Sequence, residues 1–369
     1  MTVYLDHAAT SPLRPEVLDA YTRALQLVGN PSAIHSAGQA ARAMLEDARE
    51  RIAKVVGCDR NEVVFTSGGT EANNLAVKGL FAKSAGNLIL TSAAEHHAVL
   101  DAVEYLEAHG AEVHWLSIDS EGHIDLDELA NVLEERASEV ALIALMWVNN
   151  ETGGITPINE VTALAAKHGV PVHSDAVAAF GHTPLNFAES GLSTMAITAH
   201  KLGGPVGTGA LIVSRATKLE PLFHGGGQER ALRAGTMDAA GAVAFAVAAE
   251  TAQPDYSDLA AFAVELISPL GKLTRGGADG VPNILSFTFE GCSGESMLFL
   301  LDQADIAVSN GSACTAGVAR ASHVLLAMGY SQAEAGSALR ISFGPQTTEQ
   351  DIRALAEALP SVVATARKI

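Results

Sequence analysis

Between Asn61 and Ser214 short apolar runs alternate with amphipathic stretches, and this rhythm restricts the fold more than any other feature of the chain. The runs of strand length are Val63–Ser67, Leu88–Thr91, Val113–Leu116, Val140–Val148, Val172–Asp175, Met195–Thr198 and Ala210–Val213. Helix-like segments lie between several of them: Glu71–Lys83, Ala98–His109, Leu126–Arg136 and Ile158–His168. Such alternation predicts an α/β fold, a mostly parallel sheet flanked by helices. Ligands of sheets of this kind sit beyond the carboxyl ends of the strands. Gln253–Asp258, with Pro254 and two acidic residues, reads as a turn into a second region. There a helix (Leu259–Leu270), short strands near Ile284–Phe289, a helix (Glu295–Gln303), a loop around Cys314, a strand (Leu339–Phe343) and a last helix from Thr348 predict a smaller α+β domain. The expected division is a large domain over 13–252 and a small one built from 1–12 and 253–369. The first dozen residues, closed by Pro12 and Pro15, are expected to pack beside the ligand end rather than to begin the main sheet.

With 369 residues, 48% of them hydrophobic, the chain can bury a sizeable core. Its longest apolar runs, such as Val140–Val148, fall short of the ~20 residues that cross a bilayer, so no membrane association is expected. A net charge of −19 argues against the basic face that direct nucleic-acid binding needs. It favours a soluble enzyme or a partner for basic proteins. The three cysteines, Cys58, Cys292 and Cys314, show no zinc or disulfide spacing, so no metal site is expected. An odd count, and a start without a basic stretch followed by an apolar run, fit a reducing cytoplasm.

Four local patterns carry chemistry. Thr66-Ser67-Gly68-Gly69-Thr70-Glu71 stands between a strand and a helix, where glycines and free N–H groups suit a phosphate. A plain turn with Thr70 as a cap explains the same residues equally well. Thr198-Ala199-His200-Lys201-Leu202-Gly203-Gly204-Pro205 ends another strand, and desolvation there would free the amine of Lys201 as a nucleophile. The alternative is a solvated loop charge. Asp175 closes the run Val172-His173-Ser174-Asp175, where a buried carboxylate needs a partner: a protonated ring nitrogen or an arginine. A phosphate cradle, a Schiff-base lysine and a carboxylate for a pyridinium nitrogen are together what pyridoxal 5'-phosphate requires. Finally, Cys314 sits among small residues in Ser309-Asn310-Gly311-Ser312-Ala313-Cys314-Thr315-Ala316-Gly317, which predicts an exposed thiol. Cys58 reads as a turn or buried thiol, while Cys292 also has glycine neighbours.

These stretches lie in an order that resembles the class V aminotransferase family, specifically its cysteine desulfurases of the iron–sulfur-assembly kind. The matching runs are Tyr4-Leu5-Asp6-His7-Ala8-Ala9-Thr10, Gly29-Asn30-Pro31-Ser32, the Thr66–Asn74 segment, Glu95-His96, Val148-Asn149-Asn150-Glu151 and His200-Lys201. They continue through Gly225-Gly226-Gly227-Gln228-Glu229-Arg230, Arg233-Ala234-Gly235-Thr236, Gly311-Ser312-Ala313-Cys314 and Leu339-Arg340-Ile341-Ser342-Phe343-Gly344.

The resemblance implies a type I pyridoxal-phosphate-dependent aminotransferase-like fold. It implies that Lys201 holds the cofactor covalently and moves protons, that His96 stacks on its ring and assists as acid or base, and that Asp175 pairs with the ring nitrogen. Gly69, Thr70, Thr198 and His200 are implied for the phosphate, joined by Thr236 from a neighbouring subunit, hence a homodimer with shared active sites. Asn150 and Arg340 are implied for the substrate carboxylate, Arg340 through a bidentate pair. The implied reaction takes L-cysteine to L-alanine. The Cys314 thiolate removes the sulfur as an enzyme persulfide and passes it to an acceptor protein, an iron–sulfur scaffold or a thiolation enzyme. Selenocysteine lyase, or a class V aminotransferase that moves no sulfur, is the competing enzyme, and a catalytically silent scaffold is the competing class. One departure stands out: the family's glutamine three residues after the aspartate is Ala178 here, so its hydrogen bond to the cofactor's phenolic oxygen is missing.

Overall fold

A computed structural model describes residues 2–251, 254–274, 280–311 and 321–368. Twelve strands occur among them: β1 (Val3–Tyr4), β2 (Val63–Thr66), β3 (Leu88–Ser92), β4 (Glu112–Leu116), β5 (Val140–Ala144), β6 (Val172–Asp175), β7 (Thr194–Thr198), β8 (Gly209–Val213), β9 (Lys272–Leu273), β10 (Ile284–Thr288), β11 (Ile306–Ala307) and β12 (Ala338–Ser342).

β2 to β8 form one sheet in the order β2-β8-β7-β6-β5-β3-β4. All its pairings are parallel except those of β8, which runs antiparallel to both β2 and β7. Every residue of β2, β3, β5, β6, β7 and β8 is buried, as expected where helices cover both faces. Successive side chains point to opposite faces, so each strand feeds two cores. Val63, Phe65, Leu88, Leu90, Met195 and Ile197 pack on one side with the helices Ser36–Val56 and Ala239–Glu250. Val64, Ile89, Leu142, Ala196 and Leu211 pack on the other with Gly69–Lys83 and His97–Ala108.

The apolar run Val140–Val148 yields a strand only to Ala144. Beyond it the backbone still bonds the β6 side, Leu145 N–H to His173 and Trp147 N–H to Asp175. β3, however, has ended at Ser92, so the ladder is one-sided and the chain turns toward Asn149.

A separate core contains Leu5, Tyr256, Phe287, Phe289, Leu339, Phe343 and Leu355. It lies among the antiparallel strands β9, β10 and β12 and the helices Ser257–Ile267, Gly294–Gln303 and Glu349–Ala366. The amino-terminal strand β1 pairs with β11 outside the large sheet. The exposed loop that carries Thr236 is fastened to the large sheet by Glu229. Its carboxylate accepts from Arg49 Nη1 (2.7 Å), Arg49 Nη2 (2.6 Å) and Phe65 N–H (2.8 Å). Removing one partner of such a buried pair costs about 3–5 kcal/mol. Among the described residues, no helix is long and apolar enough to cross a membrane.

Candidate active site

The carboxyl ends of β5, β6 and β7 open into a cavity of about 510 Å³. The loop after β7 supplies Lys201. Its backbone is shaped by Gly203 at φ 76°, where a Cβ would meet Arg14 Cγ at 2.7 Å, so only glycine fits both the angle and the space. Burial, followed by the charge of Arg340, pulls the Lys201 amine down to about 8, against the opposing pull of Asp175 and Asp6. Near neutrality a minor but much larger share of the amine than in a solvated lysine is therefore unprotonated and nucleophilic.

Asp175, at the end of β6, is buried (5% exposed) and also lines the cavity. Its Oδ1 accepts Val177 N–H (2.9 Å) and its Oδ2 accepts Asn73 Nδ2 (2.6 Å). His96 caps the helix His97–Ala108 by accepting Ala98 N–H at Nδ1 (3.0 Å), which leaves Nε2 as the protonated nitrogen of the neutral ring. Burial draws the His96 pKa down, opposed by Asp175. The helix Gly69–Lys83 begins at the cavity wall with Gly69 and Thr70. At Gly69 a Cβ would meet Val177 Cγ2 at 2.7 Å, so the bare backbone is required where the free N–H groups face inward.

Thr198 and His200 line the same cavity. The Thr198 hydroxyl donates to Thr208 O (3.2 Å), and His200 Nδ1 meets Thr10 Oγ1 (3.2 Å). Burial, with Lys201 beside it, pushes His200 down to about 4. Across the cavity, Arg340 from β12 is 4% exposed. It donates through Nη1 to the Asn150 carbonyl (2.8 Å) and through Nη2 to Asp6 (2.7 Å), while its Nε has no partner among the described residues. Asn150 thus meets Arg340 through its backbone. Ala178, standing where the resembled family has glutamine, forms part of the wall.

The structure therefore gathers Gly69, Thr70, His96, Asn150, Asp175, Thr198, His200, Lys201 and Arg340 around one cavity. Thr236 is exposed on the loop fastened by Glu229 and does not line it. Cys314 lies outside the described residues. Neither other thiol lines the cavity: burial pushes Cys58 up to about 12 and also raises Cys292. Asn73, which bonds Asp175, and Asp6, which bonds Arg340, carried no expected role. Both stand in runs singled out above, but nothing in the local sequence tells which way their side chains point.

This donor set fits pyridoxal phosphate. It offers an amine for a Schiff base, a carboxylate for a pyridinium nitrogen, an imidazole at the wall and unpaired backbone N–H groups at a helix start for the phosphate.

A family model for aminotransferase class-V matches residues 3–355. The chain is 44% identical to an IscS-like cysteine desulfurase of Mycobacterium tuberculosis, covering 99% of this chain and 97% of that one. Among solved structures it is similar to a NifS-like protein, with a TM-score of 0.91, 32% identity, 99% of this chain and all of that one covered. It is also similar to SspA in complex with cysteine, with a TM-score of 0.84, 32% identity, and 94% and 100% covered.

Proposed function

Because this chain belongs to the class-V aminotransferase family, we propose that it is a pyridoxal-phosphate-dependent cysteine desulfurase of type I fold, converting L-cysteine to L-alanine and an enzyme persulfide. The observation that carries this reading is the convergence of Lys201, Asp175 and Arg340 on one cavity, with the Lys201 amine held near 8.

In this reading the large domain, 13–252, holds the cofactor, and the small one, 1–12 with 253–369, brings Arg340 and Cys314. Lys201 binds the cofactor covalently, His96 packs on its ring, and Asp175 pairs with its ring nitrogen. Gly69, Thr70, Thr198 and His200 hold the phosphate, with Thr236 from the second copy of a homodimer. When bound, the cofactor supplies an electron sink beside the substrate's α-carbon. Arg340 and Asn150 orient the substrate carboxylate. The Lys201 amine would carry the proton taken from the α-carbon, and His96 would assist. The Cys314 sulfur attacks the substrate sulfur. An S–S bond forms, the C–S bond breaks, and its electron pair stays with carbon, which is protonated to become the methyl of alanine. The persulfide then passes to an acceptor protein in iron–sulfur assembly or another thiolation. A cytoplasmic setting suits a thiol that must stay reduced between turnovers.

The test is direct. Wild-type protein given cysteine should release alanine and gain one sulfur on the peptide containing Cys314, read by mass spectrometry. Cys314→Ala should bind cofactor and make neither product, while Cys58→Ala and Cys292→Ala should keep full activity. Alanine formed at the parent rate by Cys314→Ala would overturn the assignment.

A further inference from the structure

From Asn73, which lines the cavity beside Asp175, a run of buried polar side chains leads away behind the carboxylate. Asp175 and His173 are two residues apart on β6, so both side chains leave the same face of the strand. Thr194 on β7 is the direct register partner of His173. Asn73 sits in the helix Gly69–Lys83, four residues after Gly69, which puts the two on one face a turn apart.

The hydrogen bonds among them have a single polarity. The Asp175 carboxylate only accepts, so the Asn73 contact at 2.6 Å must come from Nδ2. That commits the Asn73 carbonyl oxygen to the far side, where it meets His173 Nε2 at 2.9 Å. An amide oxygen also only accepts, so Nε2 carries the hydrogen. Nδ1 of the neutral ring is then a bare acceptor, and the Thr194 hydroxyl donates to it at 2.9 Å. Flipping the Asn73 amide would set its oxygen against the Asp175 carboxylate, and moving the His173 proton to Nδ1 would set a bare Nε2 against the Asn73 oxygen. Asn73 is 1% exposed, and His173 and Thr194 are 0% exposed, so water cannot substitute. Burial pushes His173 down to about 4, against the opposing pulls of Asp175 and the Thr194 backbone, so the ring stays neutral at working pH.

We infer that Asn73, His173 and Thr194 are positioning residues. Their one-way hydrogen-bond chain fixes the rotation of the Asp175 carboxylate and hence which oxygen is offered to the cofactor's ring nitrogen. The inference rests on the functional reading above, in which that nitrogen sits at Asp175. It also gives the helix Gly69–Lys83 a double task. Its first turn faces the phosphate and its second aims the carboxylate, so one rigid element sets the distance between the cofactor's two ends.

A chain that served only to satisfy a buried histidine would affect stability alone, and this separates the two roles. We would purify Asn73→Ala, His173→Leu, His173→Gln and Thr194→Val as holoenzymes. Each would be followed by melting temperature, by pH titration of the bound cofactor's absorbance, and by kcat and KM for cysteine. Asp175→Asn sets the sign of the spectral shift. Asn73→Ala should shift the titration the same way and lower kcat about 10–100-fold, with KM within about 3-fold, the scale typical of lost outer-shell hydrogen bonds. His173→Leu should lower kcat about 10-fold. His173→Gln, whose amide can still donate to Asn73, should return to within about 3-fold, and Thr194→Val should change least. In the cofactor-free protein, the imidazole nitrogen shifts of His173 should report a neutral ring protonated at Nε2 from pH 5 to 8. The proposal is overturned if Asn73→Ala and His173→Leu melt lower yet keep the parent titration and kcat, or if the His173 proton sits on Nδ1. If Asp175→Asn leaves the titration unchanged, or if borohydride still fixes the cofactor to Lys201→Ala, the functional reading itself fails and takes the proposal with it.

Discussion

On the β6 side of the cavity, each polar side-chain atom of Asp175, Asn73 and His173 has a hydrogen-bond partner. On the other side, Arg340 Nε has none among the described residues. Unmatched buried donors and acceptors are costly, so the two sides cannot serve the same kind of guest. A side complete without a ligand presents fixed geometry and suits a resident cofactor. A side with an open donor gains most when a transient carboxylate arrives, and so suits a substrate that binds and leaves every turnover.

The strongest way to break this contrast is Arg340→Lys. Lysine cannot offer the fork that meets Asp6, the Asn150 carbonyl and a carboxylate together. Mishandling a buried charge pair costs about 2 kcal/mol or more, so KM for cysteine should rise ~30-fold or more. The bound cofactor's spectrum should stay at the parent position. Equal loss of cofactor would show that the two sides are not separate.

A smaller effect tests the resident side. A free amine attacks only when unprotonated, and Lys201 is held near 8 chiefly by burial and then by Arg340. Covalent capture of pyridoxal phosphate by cofactor-free protein, trapped with borohydride at timed intervals, should accelerate about 5-fold from pH 7 to 8 and level off above about 9. A solvated lysine would keep accelerating toward pH ~10.4, and that profile would contradict a desolvated amine.

The smallest expected change is at Ala178, in the cavity wall but outside the hydrogen-bond chain. Ala178→Gln should leave turnover within about 3-fold while moving the pH midpoint of the cofactor's absorbance, because a hydrogen bond to the phenolate favours its charged form. An unmoved midpoint would mean that another group already supplies that bond.

Much of the large sheet was legible in the sequence because its strands are buried on both faces and read as continuous apolar runs. That same continuity overextended Val140–Val148, since burial persists after the two-sided ladder ends at Ala144. The helix Ala239–Glu250 gave no signal because it is apolar nearly all round and shows no periodic face. At the site, Lys201, Asp175 and the Gly69 turn could be named because each sits at a strand or helix end. Asn73 could not, because its partner is Asp175 across a helix–sheet contact, 102 residues away. Without the family resemblance, Arg340 would have read as a surface arginine on an edge strand. Thr236 is exposed in the single chain, and its proposed role depends on a second copy.

The reversed strand β8 has a consequence for how tolerant the architecture is to change. Because β8 returns antiparallel beside β7, Lys201 rides on a hairpin closed by Ala199 N–H to Thr208 O and Gly204 N–H to Ala199 O. Most other neighbours in the sheet are joined by long crossovers, whose lengths can drift through insertion or deletion. The lysine's placement is instead written largely within Thr194–Val213, as a self-contained cassette. The crossover helices and the surfaces they form are free to be remodelled while the Lys201 amine stays where it is.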